Sequence, residues 1–327
     1  VNAFLGRQGW SVQEPVAEDG SARRYSRVEK SGRTAIFMET YGETPGHRID
    51  DFIRIGSWLR EAGLHAPEIY DADEAAGLLL LEDLGRVSFK SALTAGESAQ
   101  ELYALAADVL KHIAAQPCPA GLPGYFSSHV HAGHRRVIDW YVPALKEEKN
   151  PDGVAEAYLA AWAKVESELP PCPQGFIHAD FHVENLMWIP GEKGLRRCGI
   201  LDFQGAMKGP LAYDLGNLLE DARIDVPAEI HDSILSTHDE NFQAWYRVLT
   251  TQFHCRVIGQ FIKMAVLDGK TVYLSHIPRL AAYIAAALKD PVLAPVRSFF
   301  SDQDVDFHAP VAMNSERIRG YIREDAV

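Results

Sequence analysis

Alternation of apolar and polar positions dominates the first part of the chain. Residues 10–16 alternate weakly and predict a first strand, and 34–39 (TAIFME) predict a clear one, after a turn at Ser31-Gly32. Between them lies a polar stretch of small residues, Glu18-Asp19-Gly20-Ser21-Ala22-Arg23-Arg24-Tyr25. In residues 50–62 the spacing changes: Phe52, Ile53, Ile55, Trp58 and Leu59 recur at helical intervals until Gly63 ends the run. A hairpin through Gly77 then leads into the continuous apolar run Leu78-Leu79-Leu80-Leu81, which closes on Glu82-Asp83-Leu84-Gly85.

Helical spacing governs most of the remaining chain. Residues 96–115 carry Leu102, Leu105, Ala106, Val109, Leu110 and Ile113 on one face, with Ser98 near the start. Helices are expected over 154–169, where Pro170-Pro171 stop the pattern, over 242–267 and over 277–288. Between the helices at 96–115 and 154–169, residues 122–145 are rich in histidine and aromatics. Three histidines, His129, His131 and His134, have a spacing that could suggest a metal site, but a loop and helix start with solvated histidines is the expected form.

Composition adds limits. With 327 residues, 47% of them hydrophobic, the chain can bury an ample core and make two lobes or domains. No apolar run is long enough to span a membrane, and the first residues lack the pattern of a signal peptide. Four scattered cysteines without CxxC spacing read as reduced thiols, so a cytoplasmic protein is expected. The net charge of −13 argues against a nucleic-acid surface, and it requires any polyphosphate site to supply its own local positive charge.

The chemistry concentrates in residues 176–205: FIHADFHVENLMW, a polar interval, then CGILDFQG. An aspartate, an asparagine five residues later, and an apolar strand ending in Asp-Phe suit phosphoryl transfer. Asp180 would orient a substrate hydroxyl, while Asn185 and Asp202 offer hard oxygen ligands to magnesium. The alternating His178, Asp180, His182 and Glu184 would by themselves equally suit a metallohydrolase or a polar loop; the second cluster is what favours a kinase.

His178-Ala179-Asp180 with Asn185, Leu201-Asp202-Phe203 and Tyr213-Asp214-Leu215-Gly216 resemble the aminoglycoside phosphotransferase (APH) family of small-molecule kinases. Protein kinases usually have arginine where Ala179 stands, and the eleven residues between Asp202 and Asp214 leave no room for a phosphorylated activation loop. Arg23-Arg24-Tyr25, Leu81-Glu82-Asp83-Leu84-Gly85, Arg256–Phe261 (RVIGQF), Asp268-Gly269-Lys270 and Ile277-Pro278-Arg279 further resemble a bacterial branch of anomeric amino-sugar kinases, which phosphorylate C1 of N-acetylmuramate and N-acetylglucosamine.

The resemblance implies an α+β, bilobal, protein-kinase-like fold. Residues 1–83 would form a small N-lobe with an antiparallel sheet that binds nucleotide, and 84–327 a larger, mainly helical C-lobe for catalysis and acceptor binding. ATP and Mg2+ are the implied cofactors, a small molecule the partner, and a monomer without nucleic-acid or membrane partners the expected state. Gly20 and Ser21 would cover the phosphates, and backbone groups near Glu82 and Leu84 would take the adenine. His178 and Asp214 would brace the catalytic loop, and Asp139, Trp140 and Tyr141 would touch the acceptor. One departure stands out: residues 34–39 hold no lysine for the α- and β-phosphates. Arg24, of the Arg23/Arg24 pair, is the expected substitute, with Glu61 a possible partner for it. The alternatives are a kinase of another small acceptor (aminoglycoside, choline or homoserine) and a pseudokinase-like nucleotide-binding module.

Overall fold

A computed structural model describes residues 2–7, 9–16, 23–41 and 48–327. Gly20 and Ser21, expected at the phosphates, lie outside the described residues. The chain divides into two compact units: residues 1–122 with 176–207, and residues 123–175 with 208–327. The fold is α+β: an antiparallel sheet comes first and helices dominate afterwards.

In the first unit, helix α1 (Asn2–Arg7) precedes strands β1 (Ser11–Pro15), β2 (Arg23–Lys30) and β3 (Arg33–Thr40). Helix α2 (Ile49–Glu61) separates these from β4 (Ile69–Asp73) and β5 (Leu78–Glu82), giving a five-stranded sheet in the order β1-β2-β3-β5-β4. The β2–β3 turn places Ser31 at φ 51° and Gly32 at φ 79°. Positive φ at both central residues is the two-residue hairpin geometry whose twist matches the flanking strands.

Because side chains alternate across a strand, the two faces of the sheet differ. Val28, Ala35, Phe37, Leu78 and Leu80 join Phe4 and Leu5 of α1 in one buried cluster, flanked by Trp10 and Tyr70. Register puts Arg23, Tyr25 and Arg27 on the opposite face, against Thr40, Met38 and Ile36. Arg27 is buried there and pairs with Asp83 through two bonds of 2.7 and 3.1 Å, while also donating to the Gly85 carbonyl at 3.1 Å. This fork ties β2 to the segment that follows β5.

After β5 come α3 (Phe89–Thr94) and α4 (Ala99–Ala114), capped by Ser88 and Ser98, whose hydroxyls accept from the N–H groups of Ser91 and Glu101. A strand, β6 (Gln174–Ile177), leads into the loop before β7 (Leu186–Trp188), which pairs antiparallel with β8 (Cys198–Ile200).

The second unit is helical: α5 (His129–Ala132), α6 (Val142–Lys146), α7 (Val154–Glu168), α8 (Ala212–Leu219), α9 (Ala228–Leu235), α10 (Glu240–Leu267), α11 (Ile277–Ala287), α12 (Ala294–Asp302) and α13 (Ser315–Tyr321). The 28-residue α10 buries side chains on every side and is the axis of this unit. Its neighbours come close at two glycines. A Cβ on Gly216 of α8 would lie 2.2 Å from the Thr250 hydroxyl oxygen, and one on Gly259 would lie 2.1 Å from the Arg136 carbonyl oxygen. His134, expected to be solvated, is buried at 3% exposure against Tyr158 and Trp162, and burial lowers its pKa to about 3. The tight crossing at Gly259 encloses the adjoining segment, which no periodicity in residues 129–136 could reveal.

A buried polar cluster follows α8. Glu220 accepts from the Tyr246 hydroxyl at 2.9 Å and the Arg247 guanidinium at 3.2 Å, with His231 Nε2 at 3.5 Å. Burial pushes the Glu220 carboxyl up, but hydrogen bonding to His231 and the nearby positive charge outweigh it and hold the pKa at about 2. Among the described residues no helix is long and apolar enough to cross a membrane, and the four cysteines form no disulfide.

The packing and the buried cluster each lend themselves to a test. Gly259→Ala should cost about 3 kcal/mol through overpacking against a carbonyl that cannot turn away, read as a lower urea midpoint, whereas Gly320→Ala, with nothing within 4 Å of the new Cβ, should be neutral or slightly stabilising. Glu220 has a depressed folded pKa, so its stabilisation is present above its usual 4.5 and is lost as pH falls through about 2. Glu220→Gln should remove that acid dependence, about 1–3 kcal/mol over the window, and an unchanged acid limb in denaturation curves would refute the assignment.

Candidate active site

The β7–β8 hairpin holds two loops against each other. Leu186 pairs with Ile200, and just outside the pairing the Leu201 N–H donates to the Asn185 carbonyl at 2.9 Å. Asn185 and Asp202, far apart in sequence, are thereby held at the same end of one hairpin.

His178 makes a second tie. Its Nε2 lies 2.8 Å from the Leu201 carbonyl and its Nδ1 accepts the Asp180 N–H at 3.3 Å. A carbonyl can only accept, so Nε2 carries the proton and the ring is neutral. Burial lowers the His178 pKa, against the raising effect of Asp180 and Asp202. Between His178 and Asp180, Ala179 sits at φ 72°, a conformation that costs a non-glycine residue on the order of 1 kcal/mol. The strain turns the chain so that the residues on either side of Ala179 differ in exposure: His178 is buried, whereas the Asp180 side chain is 48% exposed.

Asp180 is oriented by two neighbours. Asn185 Nδ2 donates to the Asp180 carbonyl at 3.0 Å and to its Oδ2 at 3.2 Å. His182 Nδ1 accepts the Glu184 N–H at 3.3 Å, which makes Nε2 the protonated nitrogen, 3.4 Å from the same Oδ2. His182, read from sequence only as a possible metal ligand, is here an orienting donor. Helix α3 buttresses this loop: the Lys90 N–H donates to the Val183 carbonyl at 3.0 Å and its ammonium pairs with Glu184.

Asp202 takes the left-handed conformation, φ 57° and ψ 32°. Gln204 Nε2 donates to its Oδ1 at 2.5 Å, and Arg23 Nη1 lies 3.8 Å from the same oxygen. Phe203 packs on α2, its ring 4.8 Å from that of Phe52 and directly over Gly56. Gln204 is a residue that sequence reasoning missed; its place after Asp-Phe was visible, its partner was not.

The donor set fits magnesium. The Asn185 amide turns its N–H groups toward Asp180, and among the described residues neither Asn185 Oδ1 nor Asp202 Oδ2 has a hydrogen-bond partner. One carboxylate and one amide oxygen suit a hard ion that completes its shell with phosphate and water. Among the described residues no group of three His, Cys, Asp or Glu side chains could hold a metal ion, so a closed zinc-type cage on His178, Asp180 and His182 is not formed.

The remaining expected residues fall in varied places. Leu84 lies in the extended segment after β5, packed on Gly199, and among the described residues its backbone N–H and C=O take part in no hydrogen bond. Glu82 ends β5, where its side chain accepts from the Glu68 N–H at 3.1 Å and contacts His65 Nε2 at 3.1 Å. Arg24 is exposed over the Tyr41 ring, on the opposite face of β2 from Arg23, so Arg23 and not Arg24 is the cation beside Asp202. Glu61 is exposed at the end of α2. Asp214 is buried in α8 of the second unit. Asp139 and Trp140, also in that unit, bind the Val327 backbone at 3.0 and 3.1 Å, and Tyr141 stacks on Phe307, so all three candidate acceptor residues are engaged in packing.

The APH phosphotransferase enzyme family matches residues 12–249. The chain is 30% identical to the N-acetylmuramate/N-acetylglucosamine kinase of Caulobacter vibrioides, over 91% of this chain and 94% of that protein. It is 30% identical to the protein of the same name from Pseudomonas aeruginosa, over 86% and 85%. Among solved structures it resembles the choline kinase LicA from Streptococcus pneumoniae, with a TM-score of 0.60 at 13% identity, covering 87% of this chain and 97% of that one. Aminoglycoside phosphotransferase APH(4)-Ia gives a TM-score of 0.58 at 15% identity, covering 87% and 97%. At such identities these two likenesses speak to fold. The length of the family match, together with the relatives, shows that the chain belongs to the APH phosphotransferase enzyme family of small-molecule kinases.

Proposed function

We propose that this protein is a magnesium-dependent ATP phosphotransferase whose acceptor is the anomeric hydroxyl of an N-acetyl amino sugar. One observation carries the chemistry: Asn185 donates to Asp180 with its nitrogen, and among the described residues its side-chain oxygen has no hydrogen-bond partner, at the same end of the hairpin as Asp202. The acceptor class rests on the relatives named as N-acetylmuramate/N-acetylglucosamine kinases.

Catalysis in this reading is positioning plus electrostatics. The Asp180 carboxylate, oriented by Asn185 and His182, accepts a hydrogen bond from the sugar hydroxyl and aims its oxygen at the γ-phosphorus. The new O–P bond forms as the bond to ADP breaks, and the hydroxyl proton passes to Asp180. Magnesium, held by Asn185 Oδ1 and Asp202 Oδ2, would neutralise charge on the phosphates. A hemiacetal hydroxyl is more acidic than an ordinary alcohol, so Asp180 needs little basicity. Leu84, with its unused backbone groups, is the adenine contact, and Glu82 anchors the start of that segment. Residues 1–83 would serve the nucleotide and 84–327 the catalytic loop and acceptor, in a cytoplasmic monomer.

The test is ATP consumption with magnesium against N-acetylmuramate, N-acetylglucosamine, glucose, kanamycin, choline and homoserine. Turnover is expected on the N-acetyl sugars, with phosphate found at C1 by 31P NMR; turnover confined to another acceptor would discard the sugar assignment. Asp180→Asn should lower kcat by about a thousandfold while thermal stability and ADP affinity stay near parental values. Normal turnover in that variant would remove Asp180 from the chemistry.

A further inference from the structure

We infer that Arg23, on β2, supplies the fixed positive charge of the nucleotide phosphate site in place of a lysine on β3. This inference rests on the kinase reading above. The face of the sheet that carries Arg23 presents Ile36, Met38 and Thr40 from β3, none of them cationic, and the register sets Arg23 directly opposite Thr40. On this face the cation thus stands on β2, opposite Thr40 of β3.

Three features single out Arg23 among the basic residues of β2. Its side chain is 2% exposed, yet its Nη1 reaches within 3.8 Å of Asp202, whose side chain is 47% exposed. A guanidinium withdrawn from water acts through a low dielectric, so its field at the neighbouring carboxylate is screened far less than that of a surface arginine. Tyr25, next on the same face, hydrogen-bonds to Arg23; burial raises its phenol pKa, Arg23 opposes that rise and Asp202 adds to it. The phenol, guanidinium and carboxylate thus form one electrostatic group. Arg27, two residues on, is committed to Asp83, Glu14 and the Gly85 carbonyl, and Arg24 faces the other way.

The charge balance calls for such a group. A chain of net charge −13 repels a polyphosphate, and Asp202 adds a negative charge at the site. Helix α2, where a partner for a β3 lysine would be sought, spends its acidic first turn locally: Asp50 pairs with Arg48, Asp51 with Arg54. Arg23 therefore counters Asp202 directly and offers positive potential to the phosphates beside it.

The experiment is ADP binding without metal, by isothermal titration calorimetry on the full chain, with thermal melts alongside. Arg23→Met should weaken ADP by about tenfold or more, Arg23→Lys should remain within about threefold of the parent because a cation persists, and Arg24→Ala should leave affinity unchanged. Arg23→Gln, which keeps a donor for Tyr25 while removing the charge, should behave as Arg23→Met does. Parental affinity in a folded Met or Gln variant overturns the inference, as does an equal loss in Arg24→Ala. Failure of both neutral variants to fold would make Arg23 structural and overturn it too. A parent protein that binds no ADP would instead overturn the nucleotide reading itself, a distinct result.

Discussion

Two hydrogen bonds at Leu201 hold the site in register: its N–H goes to the Asn185 carbonyl and its C=O receives His178 Nε2. Both span long stretches of chain, so they tie two loops together. Everything polar at the site depends on that connection. Asp180 inherits its place from His178 and Asn185, and Asp202 inherits its place from the strand that ends at Leu201. The neutral ring of His178 is essential to the arrangement, since it must donate to a carbonyl on one side and accept an amide on the other.

Strain and support are balanced locally. Ala179 and Asp202 both occupy left-handed backbone, and each lies beside strong packing: Phe181 and Val183 are fully buried after the first, and Phe203 is wedged on α2 after the second. Backbone held in unfavourable conformations persists only where its surroundings over-determine it. Helix α2 thus serves the site through an aromatic contact behind Asp202, and Arg27 serves it by bracing the segment after β5 on the sheet.

Much of this was legible in the chain. Strong periodicity located β3, β5, α2, α4, α7, α10 and α11 within a few residues, because burial of one face or of both leaves its imprint on long segments. Short elements such as α1 and α3 left none; six residues carry too little pattern, and their positions depend on contacts such as Lys90 with Glu184. That Asp180, Asn185 and Asp202 belong to one cluster was readable, because a five-residue spacing and a single hairpin hold them together. The choice between Arg23 and Arg24 was not, since a one-residue shift in strand parity exchanges the two faces and parity is set by the pairing with β3. His182 and Gln204 escaped for a related reason: their role lies in a partner oxygen, which no linear spacing reveals. His134 looked solvated in a run of histidines, and only the close approach of α10 buries it.

The double use of one side-chain amide at position 185 carries a consequence for what the site could become. An aspartate there would grip a divalent cation more firmly, having charge where the amide has only a dipole. It would also lose the donor that faces Asp180 and set two carboxylates against each other across about 3 Å. In the proposed mechanism, tighter metal binding and a well-oriented Asp180 would thus be competing demands on a single residue. Asparagine is the side chain of that size whose two ends have opposite polarity, and under the proposed function the site would be confined to modest metal affinity as the condition for keeping Asp180 in place.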